Sequence, residues 1–260
     1  LIPIGFGFYD DGDVPVTFQA NAATFPFGAG VARIAPDGTP RWFRHDYTHH
    51  WPTMLPDGSA LLTALSIGDV GDEVRAVTGI NTLRCDAQAQ MLDTLRLIDT
   101  DGAVIWEVDL MQAMLRSPFA QYLMTTSDPC DWIHLNYAKV LQSPIGENIS
   151  AGDLLVSLRN INALVILDGR TFDIKRLIRG TFLQQHAARM RDEKRLVMFN
   201  NWGGADSTIP EILEIDLETG SERVIFPNAG TPAEFAGTPS LRAGHTDVSD
   251  DGNRLRAAYS

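Results

Sequence analysis

What most constrains this chain is a recurring unit, in which short strands are closed by an Asp-Gly or similar turn and alternate strand pairs begin at a histidine. Four strand pairs carry the turn in their middle: Val31 to Phe43, Leu95 to Trp106, Ala163 to Ile174 and Ile212 to Val224. Glycine serves there because a tight hairpin needs a positive φ, which glycine adopts without steric penalty. Between these pairs run units led by a histidine: His50 to Leu62, His134 to Val156, His186 to Met198 and His245 to Leu255.

The four leading histidines are separated by 84, 52 and 59 residues, close to one four-stranded blade plus insertions. The chain therefore reads as all-β, a single β-propeller domain over residues 1–260, of about six four-stranded blades or fewer. Residues 1–30 are a candidate extra N-terminal β segment, and the first 45 or so residues are a candidate fifth blade. A histidine at the start of the first strand of successive blades would aim several imidazoles at a central channel, so the repeat itself predicts a site. Helical spacing is confined to one or two turns at Asp109 to Met114. Ile67 to Thr82 and Asn228 to Pro239, rich in Gly, Asp, Pro, Ala and Thr, read as long surface loops.

Charge narrows the function. With 33 Asp and Glu against 21 Lys and Arg, the net charge is -12, which disfavours a phosphate backbone or an anionic lipid surface. No nucleic-acid partner is expected. Nor is membrane insertion, since no apolar run approaches the roughly 18 residues of a spanning helix. Cys85 and Cys130 are the two cysteines; they either form one bridge or stand as two thiols.

Polar residues collect around the histidines where apolar ones would suffice: Asp131-Trp132-Ile133-His134-Leu135-Asn136, Ser157-Leu158-Arg159-Asn160 and Gln185-His186. An arginine fork matches the oxygens of a sulfate, phosphate or carboxylate. A neutral imidazole beside it can act as nucleophile or proton carrier near neutral pH.

Together with His49-His50 ahead of Leu55-Pro56-Asp57-Gly58, these motifs resemble the bacterial arylsulfotransferase family over most of Val31 to Ser260. The chain departs from the family pattern at Trp51, where an acid is expected, and at Ala187-Ala188. The resemblance implies a β-propeller, a small phenolic sulfate donor, a phenolic acceptor and no cofactor. It casts His186 as the nucleophile that carries the sulfuryl group, His134 and Arg159 as binders of the sulfate oxygens, and His50 as a further catalytic histidine. His49, Asn136, Asn160, Trp132 and His245 are the candidate substrate-binding residues, and a periplasmic or secreted location is implied. Trp132 and Trp202 could stack on an aromatic substrate, although packing is the commoner role of such residues. The Asn200 to Gly204 stretch reads as a turn. Two rival readings use the same pattern: a metal-dependent lyase or oxygenase with imidazole ligands, and a non-catalytic ligand-binding propeller.

Overall fold

In the computed structural model, which describes residues 1–20, 27–80, 85, 89–202, 210–231, 244–249 and 252–259, each histidine-led unit is the first hairpin of an antiparallel sheet. The chain divides into two compact units, Leu1–Ala138 and Lys139–Ser260.

Unit 1 holds two four-stranded meanders. The first is β1 (Ile2–Phe6), β2 (Val14–Gln19), β3 (Gly28–Ile34) and β4 (Pro40–Arg44). The second is β5 (His49–Met54), β6 (Ala60–Gly68), β7 (Gln90–Ile98) and β8 (Val104–Asp109). Gly28 is needed where β3 passes the next sheet, because a Cβ there would come 2.3 Å from the Tyr47 carbonyl. Helix α1 (Gly71–Thr78) follows β6, and α2 (Leu110–Arg116) follows β8. Asp109 caps α2 by accepting from the Gln112 amide at 2.8 Å, as an N-cap acid should. The segment Ile67 to Thr82, expected as a loop, instead contains α1. Val74 is its single buried residue, with Gly79 left-handed at its end, a pattern too short to register as helical periodicity. A 3-10 turn spans Ala120–Thr125.

The division between units falls within β9 (Leu135–Val140), which completes a sheet with β10 (Leu154–Leu158), β11 (Ala163–Leu167) and β12 (Ile174–Ile178). A further meander follows in unit 2: β13 (His186–Met190), β14 (Arg195–Asn200), β15 (Glu211–Asp216) and β16 (Glu222–Phe226). The last described sheet has two strands, β17 (Gly244–Val248) and β18 (Leu255–Tyr259). All four Gly-turn pairs read from the sequence are the outer hairpins β3–β4, β7–β8, β11–β12 and β15–β16. Every residue of β10 and β11 is buried, so these middle strands are apolar but for Ser157 instead of alternating, as strands covered on both faces do. The part of Asn228 to Pro239 beyond Thr231 lies outside the described residues. Among those described, no helix is long and apolar enough to cross a membrane.

His49 and His186 sit where the ladders are irregular. His49 faces Thr63 but Thr53 faces Leu61, and His186 faces Phe199 but Arg189 faces Val197, so β5 and β13 each bulge just after their histidines. The backbone takes φ of 56° at His50, 50° at His134 and 48° at Ala187. Non-glycine residues rarely adopt these values and cluster at functional sites when they do. A bulge re-aims a side chain without ending the strand.

Candidate functional site

In unit 1 the turn into β5 is fixed first. Asp46 accepts from the Thr48 amide at 3.0 Å and from Arg96 at 2.5 Å. His49 is fully buried, and its Nδ1 meets the Nδ1 of His50. Thr63 donates its hydroxyl to the His49 carbonyl, and Thr17 donates to that of His50. The His50 and His134 rings meet edge-on at 5.1 Å, and Phe27 stacks on His134 at 5.5 Å with its edge 5.0 Å from His49. The four rings thus form one aromatic cluster.

His134 stands immediately ahead of β9 with its Nδ1 against Asp131 Oδ2. A carboxylate on Nδ1 orients the ring and fixes its tautomer. Asp131 is held by a bridge to Met91 and follows Cys130, which is disulfide-bonded to Cys85. Trp132 packs in the interior, 1% exposed, donating to Gln90 Oε1 at 3.1 Å; no face of it is open for a substrate ring to stack on. Asn136 is buried within β9. Burial, and then the charge of His134, holds His49 down to about 3, so His49 is neutral at physiological pH. Asp93, in β7, lies 3.8 Å from His49 Nε2. Burial and the neighbouring Asp131 hold its carboxyl well above the usual range.

In unit 2, Gln185 precedes β13 with its side chain fully buried. It donates to Ser157 Oγ, Leu158 O and Ala163 O at 3.0 to 3.2 Å. This anchors the start of β13 on β10 and β11. His186, 5% exposed, places Nδ1 3.0 Å from the Gln184 carbonyl and 2.7 Å from Asn201 Oδ1. A backbone carbonyl can only accept, so Nδ1 carries a proton, and in the neutral form of this ring the lone pair is on Nε2. The side chain of the same Gln184 accepts from Arg159 Nη2 at 2.8 Å and from Trp202 Nε1 at 3.3 Å. Arg159 also donates to Asn160 Oδ1 at 2.8 Å. Gln184 itself is left-handed at φ 52°, and its amide is tied to Asn162 Oδ1 at 2.8 Å.

His245 lies in β17 beside Arg189, and burial followed by the Arg189 charge lowers it to about 4. Neighbouring Thr246 donates to the Ala187 carbonyl at 2.6 Å.

The structure therefore groups His49, His50 and His134 within unit 1, and Arg159, Asn160 and His186 within unit 2. Sequence reasoning missed Asp93, Phe27 and Gln184. It also read Asn200 to Gly204 as a turn, although Asn201 is a direct partner of His186; Gly203 and Gly204 lie outside the described residues. A lone acid inside the apolar run Met91-Leu92-Asp93-Thr94-Leu95 was the available signal for Asp93.

Residues 37–229, which include all of these groups but Phe27 and His245, match the family described as arylsulfotransferase (ASST). The chain belongs to the arylsulfotransferase family. At the family level this supports a sulfotransferase-like transferase. No curated protein matches this arylsulfotransferase chain in sequence. Among solved structures it is similar to virginiamycin B lyase from Staphylococcus aureus, with 13% identity over 99% of this chain and 69% of that one, at a TM-score of 0.48. BamB from Moraxella catarrhalis matches at 13% identity over 96% and 54% of the two chains, with a TM-score of 0.42. The WD40 β-propeller domain of Doa1 matches at 10% over 98% and 75%, with a TM-score of 0.49. The arylsulfotransferase chain thus spans about half of the BamB chain, and none of these likenesses bears on activity.

Proposed function

We propose that this chain is a propeller-type aryl-sulfate sulfotransferase that moves a sulfuryl group from a phenolic sulfate ester to a phenolic acceptor, with His186 as the carrier and no nucleotide cofactor. The observation that carries the reading is the pair of acceptors on His186 Nδ1, which leaves Nε2 as the nucleophilic nitrogen. In the first half-reaction Nε2 attacks sulfur, the N–S bond forms, and the S–O bond to the aryl oxygen breaks with its electron pair leaving on the phenolate. In the second, the acceptor oxygen attacks the same sulfur and the N–S electron pair returns to Nε2.

Positive charge grows on the imidazole as Nε2 attacks, and the Gln184 carbonyl and Asn201 amide oxygen are already oriented to stabilise it. Arg159 binds the sulfate oxygens, and Gln184 and Asn160 hold its fork in plane. His134, with Asp131 on its Nδ1, is a binder of the sulfate oxygens and His50 a further catalytic histidine, the roles the family resemblance implies. The Cys85–Cys130 bridge supports a periplasmic or secreted location, because such bridges persist in oxidising compartments.

The test is release of phenol from a chromogenic aryl sulfate, with and without a phenolic acceptor, by the wild type and by His186→Ala. The expected result is acceptor-accelerated release, a sulfohistidine trapped on the peptide carrying His186 when acceptor is withheld, and loss of both in the variant. A folded wild type that turns over no aryl sulfate in a broad panel, or a His186→Ala protein as active as the wild type, overturns the proposal.

A further inference from the structure

Behind His50 in unit 1 lie two buried titratable groups to which the reaction above gives no role. His49 and Asp93 are both 0% exposed, and among the described residues His49 Nε2 and Asp93 Oδ2 have no hydrogen-bond partner. Buried polar atoms are nearly always satisfied, so two bare ones on neighbouring groups call for an explanation. In front of them, the Nδ1 atoms of His49 and His50 are in close contact. Two lone pairs would repel there and two N–H groups would clash, so a single proton lies between the nitrogens.

That shared proton gives the neutral pair two arrangements. In one, His49 donates from Nδ1 and His50 carries its other proton on Nε2. In the other, His50 donates from Nδ1, its Nε2 is a lone pair, and His49 is protonated on Nε2 toward Asp93. We infer that Asp93 and His49 form a proton relay acting through His50, so that His50 is the acid of the first half-reaction and the base of the second. The inference rests on the sulfuryl-transfer reading.

The protons balance. As the S–O bond breaks, His50 gives its Nε2 proton to the leaving phenolate, takes the shared proton from His49 Nδ1, and His49 takes a proton from Asp93. When the acceptor phenol attacks, it gives its proton to His50 Nε2 and the chain runs backward, returning Asp93 to its neutral form. The 3.8 Å between His49 Nε2 and Asp93 Oδ1 exceeds a hydrogen bond and closes with a side-chain movement of about 1 Å.

The groups facing Asp93 fit this cycle. They are His49 from β5, Asp109 from β8, Asp131 and the backbone of His134 ahead of β9, and the Leu135 amide at its start. Burial and the negative charge of Asp131 favour a protonated Asp93, while the Leu135 amide at 2.9 Å from Oδ1 supports the ionised form. For His49, burial and His134 favour the neutral ring, and Asp131 and the Ala64 backbone oppose them. Asp93 and His49 are positioning residues here; His50 is the group that meets substrate.

The experiment varies the leaving group in Asp93→Asn and His49→Gln. Phenyl sulfate leaves as a strongly basic phenolate and needs the acid; a nitrophenyl sulfate leaves as a weakly basic one and needs it little. The relay predicts that kcat for phenyl sulfate falls by about 10²- to 10⁴-fold while that for the nitrophenyl ester falls by less than about tenfold. Equal falls with both donors indicate a merely structural role and overturn the inference. A second measurement does not depend on turnover or on the variants folding. The 1H,15N NMR spectrum of the wild type should contain one imidazole proton coupled to nitrogens of both His49 and His50. Its absence overturns the relay; its presence in a protein that turns over no aryl sulfate keeps the relay and places the failure in the sulfuryl-transfer reading.

Discussion

Removing the amide of Asn201 tests the electrostatics of the nucleophile directly. On the sulfuryl-transfer reading His186 attacks as the neutral imidazole, so before attack the 2.7 Å contact to Asn201 Oδ1 joins two neutral groups. In the transition state the imidazole gains positive charge, so the same contact becomes charge-assisted. A hydrogen bond to a charged group contributes about 1.5–3 kcal/mol, against roughly 0.5–1.5 for a neutral one. The difference of about 1–1.5 kcal/mol is stabilisation specific to the transition state and corresponds to roughly five- to fifteen-fold in rate. Asn201→Ala should therefore lower the rate of sulfohistidine formation about tenfold with KM nearly unchanged, because the Gln184 carbonyl at 3.0 Å still sets the tautomer. Stopped-flow measurement of the phenol burst reads this step alone. A burst rate equal to the wild type, or a loss appearing only in KM, would refute the reasoning that Asn201 stabilises the charged ring.

Four further outcomes follow from the same contacts. Gln185→Leu removes three buried hydrogen bonds and should destabilise the fold by about 2–4 kcal/mol in urea denaturation. Asp93→Asn should be more stable than wild type at pH 8, with the gap shrinking toward pH 4; a raised folded-state carboxyl contributes stability below its unfolded pKa and loses it as pH rises. His49 and His245, lowered to about 3 and about 4, act in the other direction: thermal stability should fall as pH drops from about 6.5 through those values, because the unfolded imidazoles take up protons first. Reducing the Cys85–Cys130 bridge, 45 residues apart in sequence, should lower stability by about 2–4 kcal/mol in denaturation with and without reductant.

The repeat was legible because strand pairs and Gly turns are local. The outer hairpins and the histidine at the head of β5, β13 and the strand after His134 follow from alternation and turn chemistry within a dozen residues. Helix α1 was not legible, because one buried valine in eight residues leaves no periodic signal and its Asp and Gly content mimics a loop. The site was legible only in its chemical types. His186 and Arg159 stand in short polar motifs, but the residue that joins them, Gln184, acts partly through its main-chain carbonyl, which any amino acid possesses. Asn201 reaches His186 from fifteen residues away across a hairpin, a pairing fixed by register and not by motif. Asp93 is not legible because an acid in a strand is ordinarily solvent-facing; what surrounds it, His49 of β5 and the Leu135 amide at the start of β9, comes from far along the chain.

Gln184 serves two clients by separate means, its carbonyl fixing the His186 ring and its side chain steering Arg159 and Trp202. The two services are genetically separable. On the sulfuryl-transfer reading, a change of side chain alters the grip on the sulfate while leaving the His186 tautomer intact, and glycine would do so while also relieving the left-handed backbone. The position is thus a natural adjusting screw: lineages or designers can retune which anion is held, one substitution at a time, without first dismantling the group that reacts with it.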